Sequence, residues 1–210
     1  MTMKLLFENW RGFLNEGMRT PDDLPDGVGI LIDTEESPDE IRISYVDLHN
    51  AGTSNKPRGE VVIGNMPSQN AEWFGTCLNA WVVQGAHADH GWGPLLYDVA
   101  IEWASMRGSG VGLAPDRSMV SAEAEAVWDN YMNSRSDVEM MQLDNMKNEL
   151  TPEESDNCAQ NAAVSNAASN SQGVEWHQSS LSKVYKKKGA GTIKALQAAQ
   201  KLVFREEGDL

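Results

Sequence analysis

Apolar and polar positions alternate with a period of two along the first third of the chain. Residues 28–33 (VGILID), 41–48 (IRISYVDL) and 60–64 (EVVIG) each read as a strand. In the second of these, Ile41, Ile43 and Tyr45 alternate with Arg42 and Ser44. The polar turn 34–40 (TEESPDE) and the loop 49–58 (HNAGTSNKPR) separate the three, which predicts an antiparallel meander. A central strand follows from Cys77 to Val83, with Leu78, Ala80 and Val82 alternating against Asn79 and Trp81. The chain then breaks at Gly85 and again at Gly91-Trp92-Gly93. Pro94 suits the first turn of a helix, where no amide hydrogen bond is needed. From there Leu95, Leu96, Val99, Ala100, Trp103 and Ala104 recur at helical spacing.

The second half is less regular. Past Gly108-Ser109-Gly110, a strand at 111–113 is needed if the sheet continues. Ser121 can cap a second helix, 121–134, whose first turn carries Glu123 and Glu125 and whose apolar side is Ala124, Val127, Trp128 and Tyr131. The helical pattern is expected to continue through 136–149, anchored by Val138, Met141 and Met146. Residues 151–173 are poor in large apolar side chains and rich in Asn, Ser and Ala, which predicts a mobile insertion or surface loop. Two short edge strands (174–178 and 181–186) and a closing helix (192–205, with Ile193, Leu196, Ala199 and Leu202 in register) complete the chain. At the other end, Leu6, Trp10, Phe13 and Leu14 share one helical face before Gly17. The expected organisation is a leader helix (1–17), a core (28–150), a polar insertion (151–173) and a closing unit (174–210). The expected class is α+β, a mixed and mostly antiparallel central sheet flanked by helices.

Composition narrows the partners. Seventeen basic and 31 acidic residues give a formal charge of −14. Contacts to nucleic-acid phosphates and to anionic lipid need cations, so neither nucleic acid nor a membrane surface is expected as a partner. No apolar run is long enough to span a bilayer, and no secretory signal is read at the N-terminus. Cys77 and Cys158 sit in dissimilar contexts, so no disulfide and a reducing compartment are expected. Lys186-Lys187-Lys188 is the one basic cluster.

A glycine loop entering a helix presents backbone amides and the positive end of the helix dipole, a setting for phosphate or pyrophosphate. The strand–loop–helix 75–106 resembles the core of the GNAT family of N-acetyltransferases, whose loop after the central strand runs Gln/Arg-x-x-Gly-x-Gly/Ala and holds the acetyl-CoA pyrophosphate. Gly91 and Gly93 fall on the glycine positions; Ala88, on the Gln/Arg position, departs from the pattern. The resemblance covers about 28–135 and, more loosely, 174–188. It implies acetyl-CoA as cofactor. Strand 79–84, with Val82 and Val83, would splay from its neighbour and pair with the pantetheine arm. Ala88, Asp89, His90, Gly91, Trp92 and Gly93 would lie at the diphosphate.

The family also carries a tyrosine on its second core helix that protonates the departing thiolate, and Tyr131 stands at that place. A phenol can serve because its pKa exceeds that of the thiol. The family's flanking Asn and Gly-Phe are replaced near Tyr131 by Glu123 and by Ser134-Arg135-Ser136. A general base could be His87, Asp89 or Glu72, and the sequence does not choose. His87, Asp89 and His90 crowd the loop without a third distant ligand, so no metal is expected. Where the family places two helices between its first two strands, this chain has only 34–40, which implies a reduced or absent acceptor pocket.

The N-terminal segment resembles the capsid-targeting peptides of T4-like phage internal proteins. Those begin Met-Lys, carry aromatic and apolar residues, and end in a Leu/Ile-x-Glu cleavage site; Leu14-Asn15-Glu16 fits that ending. That likeness implies a capsid or scaffold partner reached through residues 1–16, and a location in the host cytoplasm or inside the phage particle. Two functions follow: an acetyl-CoA-dependent N-acetyltransferase-like protein, or a non-catalytic virion or internal structural protein that uses the same fold as a module. A third is a partner-binding protein whose Leu6, Trp10 and Phe13 enter a groove.

Overall fold

The computed structural model describes residues 19–37, 39–49, 58–65, 80–107, 110–116, 120–143, 157–158 and 178–205. Among these, nine strands form one sheet: Val28–Ser37 (β1), Glu40–Asp47 (β2), Gly59–Asn65 (β3), Trp81–Ala88 (β4), Leu113–Ala114 (β5), Val138–Leu143 (β6), Asn157–Cys158 (β7), Lys183–Lys187 (β8) and Leu202–Arg205 (β9). Their order is β7-β6-β8-β5-β4-β3-β2-β1-β9. Three α-helices accompany it: Gly93–Met106 (α1), Ala122–Ser134 (α2) and Gly191–Ala198 (α3). The class is α+β with a mixed sheet, as expected.

The period-two stretches form the expected meander, β1 to β4, antiparallel throughout. Its inward face carries Ile30, Ile32, Ile41, Ile43, Tyr45, Val61 and Ile63, each buried. Full burial of one such aliphatic side chain is worth about 1.5–3 kcal/mol, and a one-residue slip would turn the whole set to solvent, so the pattern fixes the register. From β4 the chain crosses through α1 to β5, which pairs with β4 in parallel; a parallel pair requires such a crossover. Every residue of α1 from Pro94 to Ala104 is buried. The helix packs on β2, β3 and β8 and against α3.

Three expectations are corrected. Residues 138–143 are strand β6, antiparallel to β8, and not a continuation of the helix before them. Met, Glu and Gln favour a helix locally, but pairing with a distant strand decides the outcome. The closing helix ends at Ala198; Gln200 takes the left-handed conformation (φ 55°), and Leu202–Arg205 then pairs with β1 in parallel. Ladder pairing also carries β4 through Gly85 to Ala88, where a loop was expected.

β1 runs four residues beyond Asp33, so the turn before β2 is shorter still. The leader 1–17, Glu72, Cys77 and all but Gln178 of the edge strand expected at 174–178 lie outside the described residues. So does most of 151–173, apart from β7.

Candidate functional site

The site is built where β4 loses its neighbour. On one edge β4 stays paired with β3 as far as Ala88. On the other it meets β5 only at Trp81↔Leu113 and Val82↔Ala114. The expected splay is therefore displaced: 81–82 are sealed, and the edge opens from Val83 onward. One residue, Gln84, is extra between the pairs Val62↔Gly85 and Ile63↔Val83, a β-bulge at the start of the open stretch. The Asp89 amide donates to the Arg58 carbonyl at 2.8 Å. Alternation along the ladder then turns the amides of Ala86 and Ala88 to the open edge.

The loop after β4 is pinned from beneath. The Trp92 amide donates to the Asp89 carbonyl at 3.0 Å, and the Tyr45 hydroxyl donates to the Trp92 carbonyl at 2.7 Å. The Trp92 ring is buried, meets Tyr45 edge-on at 4.9 Å, and carries the guanidinium groups of Arg19 and Arg58 at 4.2 and 4.5 Å from its centroid. Those contacts hold the backbone while the side above it stays open. Gly91 has φ 77°, which a side chain would strain, and a Cβ placed there would meet none of the described residues within 4 Å. At Gly93 an added Cβ would touch only the Ala88 methyl, at 3.7 Å. The amides of Asp89 and Trp92 are spent on the turn, so Ala88, Gly91 and Gly93 are what the loop offers. No side chain caps the α1 N-terminus.

Over this loop lies a cleft of about 420 Å³ between β4, α1 and the first turns of α2. Of the residues expected at a cofactor, Ala88, Asp89, His90, Gly91 and Gly93 line it. Val82, Val83 and Trp92 do not: Val82 is buried in the sealed part of the sheet, Val83 is buried in the core where the open edge begins, and Trp92 points into the core. His87 also lines the cleft. The sequence reading missed Tyr97, Ser121, Glu123, Ala124 and Val127, which α1 and α2 bring in. Its acids are Asp89 and Glu123, so an anion held here would rely on main-chain amides and the helix dipole. Ser121 caps α2 by accepting from the Ala124 amide at 3.2 Å.

Tyr131 lies outside the cleft lining. It is fully buried and donates to Asp98 Oδ1 at 2.9 Å. Burial first, and the neighbouring Asp98 carboxylate second, push its phenol well above the ordinary tyrosine value. Tyr97 is the phenol that the cleft does contain; burial raises it too. Among the described residues no cluster of three His, Cys, Asp or Glu side chains could hold a metal ion, and no helix is long and apolar enough to cross a membrane.

Comparison with protein-family models, with curated proteins and with solved structures finds no match for this chain.

Proposed function

We propose that the chain is an acetyltransferase-like protein that binds acetyl-CoA in the cleft beside β4. The observation that carries this reading is the β4–α1 unit. An open strand edge runs straight into a glycine-bearing loop whose uncapped helix N-terminus faces the same space. An extended amide-bearing arm can pair with Ala86 and Ala88, and a diphosphate can sit on the amides around Gly91 and Gly93. Further support comes from the order of elements: a four-strand meander, a parallel β4–β5 pair joined by a helix, and β8 between β5 and β6. In this cleft the proton donor to a departing thiolate would be Tyr97, with Tyr131 holding Asp98 in place.

Acetyl-CoA at about a hundred times its dissociation constant would stabilise the native state by about 2.7 kcal/mol. For a chain of this size that is a rise of about 5–10 °C in melting temperature. No shift with millimolar acetyl-CoA would end the reading.

A second reading is a non-catalytic phage virion or internal protein that keeps the fold as a module. It is favoured by the connection between β1 and β2, which is two residues with no helix and so supplies no acceptor wall. It would be a protein of the host cytoplasm or of the particle interior. Mass spectrometry of virions tests it: a chain beginning at Gly17 supports it, and absence from particles removes it.

A further inference from the structure

The one basic run of the sequence takes no part in the cleft. It leads through Gly189-Ala190-Gly191 into α3 and forms one wall of a separate cavity of about 520 Å³ on the other side of α1. The floor is a buried ionic cluster. Glu102 is 1% exposed and accepts the amides of Thr192 and Ile193 at 2.8 Å each, with Lys187 at 3.4 Å. Asp98 accepts from Tyr131 at 2.9 Å, Arg135 at 3.1 Å and Lys187 at 2.9 Å. Asp137 takes two bonds from Arg135 at 2.7 Å and meets Lys187 at 3.2 Å. The acceptors are therefore engaged, and a ligand ammonium would find little there.

The donors at the mouth are in surplus. Among the described residues Lys188 meets only Glu139, at 3.8 Å, and both side chains are more than half exposed. Arg19 sets its guanidinium carbon 4.2 Å from the Trp92 ring centroid and lines the same mouth. Among the described residues it forms no salt bridge, and the exposed Asp23 carboxylate feels its charge only as a minor influence. Gly189 and Gly191 line the same mouth, and a Cβ on either would meet none of the described residues within 4 Å. Arg19, Arg135, Lys187 and Lys188 outnumber Asp98, Glu102 and Asp137 in the lining, within a chain whose formal charge is −14. Arg19 and Lys188 are the two of these four not bound to Asp98, Glu102 or Asp137, and a pair of cations suits one phosphate group.

We propose that this cavity is a second ligand site, for a small phosphate-bearing molecule held between Arg19 and Lys188. It goes beyond the acetyl-CoA reading and does not depend on it. The test is titration of the full chain with inorganic phosphate at low salt, against chloride at equal ionic strength, by calorimetry and thermal shift. A one-to-one component that depends on Lys188 is expected, separate from any phosphate taken up on the Gly91 loop. K188Q, at an exposed position, should weaken it about tenfold, the loss of one charge-assisted hydrogen bond. R19A combined with K188Q should abolish it, while G91V, in the other cleft, leaves it unchanged. No response beyond that to chloride overturns the proposal. So does binding that K188Q leaves intact, or binding that G91V removes.

Discussion

Replacing Lys187 with methionine tests the central physical claim about α1, that its buried acids are tolerated only because a cation is buried with them. Lys187 has a side chain 5% exposed, with Asp98 at 2.9 Å, Glu102 at 3.4 Å and Asp137 at 3.2 Å. Methionine fills nearly the same volume and removes the charge together with the N–H donors to Asp98, Glu102 and Thr192. Removing one partner of a buried ion pair costs about 3–5 kcal/mol, because the other charge stays behind in a poor solvent. Here the remaining acids keep other donors: two amides on Glu102, and Arg135 and Tyr131 on Asp98. The lower end, about 3 kcal/mol, is therefore expected.

For a domain of this size that lowers the melting temperature by about 6–12 °C. Calorimetry or urea titration at neutral pH would measure it, with K187M/D98N expected to recover part of the loss. Burial lowers the Lys187 pKa, but Asp98 and then Glu102 outweigh it, and the net direction is up. A raised lysine contributes stability that is whole below its ordinary value of about 10.4 and is lost as pH rises through the folded value. The gap between wild type and K187M should therefore narrow only in strongly alkaline solution. A loss under about 1 kcal/mol at neutral pH would refute the reasoning.

Four further outcomes are expected. D89N should tighten acetyl-CoA binding several-fold at low salt and less at high salt, because it removes a like charge from the cleft without touching the loop amides. Y97F should lower acetyl-transfer turnover with little change in stability, whereas Y131F should cost about 1–3 kcal/mol, because Asp98 loses a buried donor, and should leave turnover in place. G112A should destabilise by about 2 kcal/mol or more in thermal unfolding, since φ is 120° and a Cβ would strike the Tyr185 carbonyl oxygen. D137N should lose stability at neutral pH but not in strong acid. Its hydrogen bonds to Arg135, offset in part by burial, hold its carboxyl below the usual range, so its contribution is present above about 3.9 and disappears as pH falls through the folded value.

What could be read from the sequence follows the range of the forces involved. The meander was legible because Ile30, Ile32, Ile41, Ile43 and Tyr45 face one core from a one-sided sheet, and period two is the local trace of that burial. Strand β6 was not, because its partner β8 lies some 40 residues on and the intervening segment hides the pairing. The end of α3 was missed for another reason: Gln200 adopts positive φ without the glycine that usually announces it. In the site, Gly91 and Gly93 carried their own signal, while Ser121, Glu123 and Val127 reach the cleft only through the packing of α2. The ionic cluster did leave a mark. Asp98 and Glu102, four apart on a helix otherwise lined with Leu, Val, Ile and Trp, cannot be buried without cations, and the only basic run lies at 186–188.

The two cavities share α1 as a wall, and the sequence of that helix explains how they stay different. Pro94 and Tyr97 turn one flank to the β4 cleft; Leu95, Asp98 and Glu102, about a quarter-turn round, face the other cavity. The cleft has Arg58 below the loop, on Trp92, and presents main chain above it. The second cavity spends its cations on buried acids and keeps two at the mouth. A loop held by Tyr45 and Trp92 before any ligand arrives has little ordering entropy left to lose, so its weak-looking complement of amides can suffice for an anion where a mobile loop would need a lysine or arginine. On the acetyltransferase reading proposed above, that rigidity, which comes from β2 and the core and not from the loop's own side chains, would let Ala88 stand where the family carries Gln or Arg.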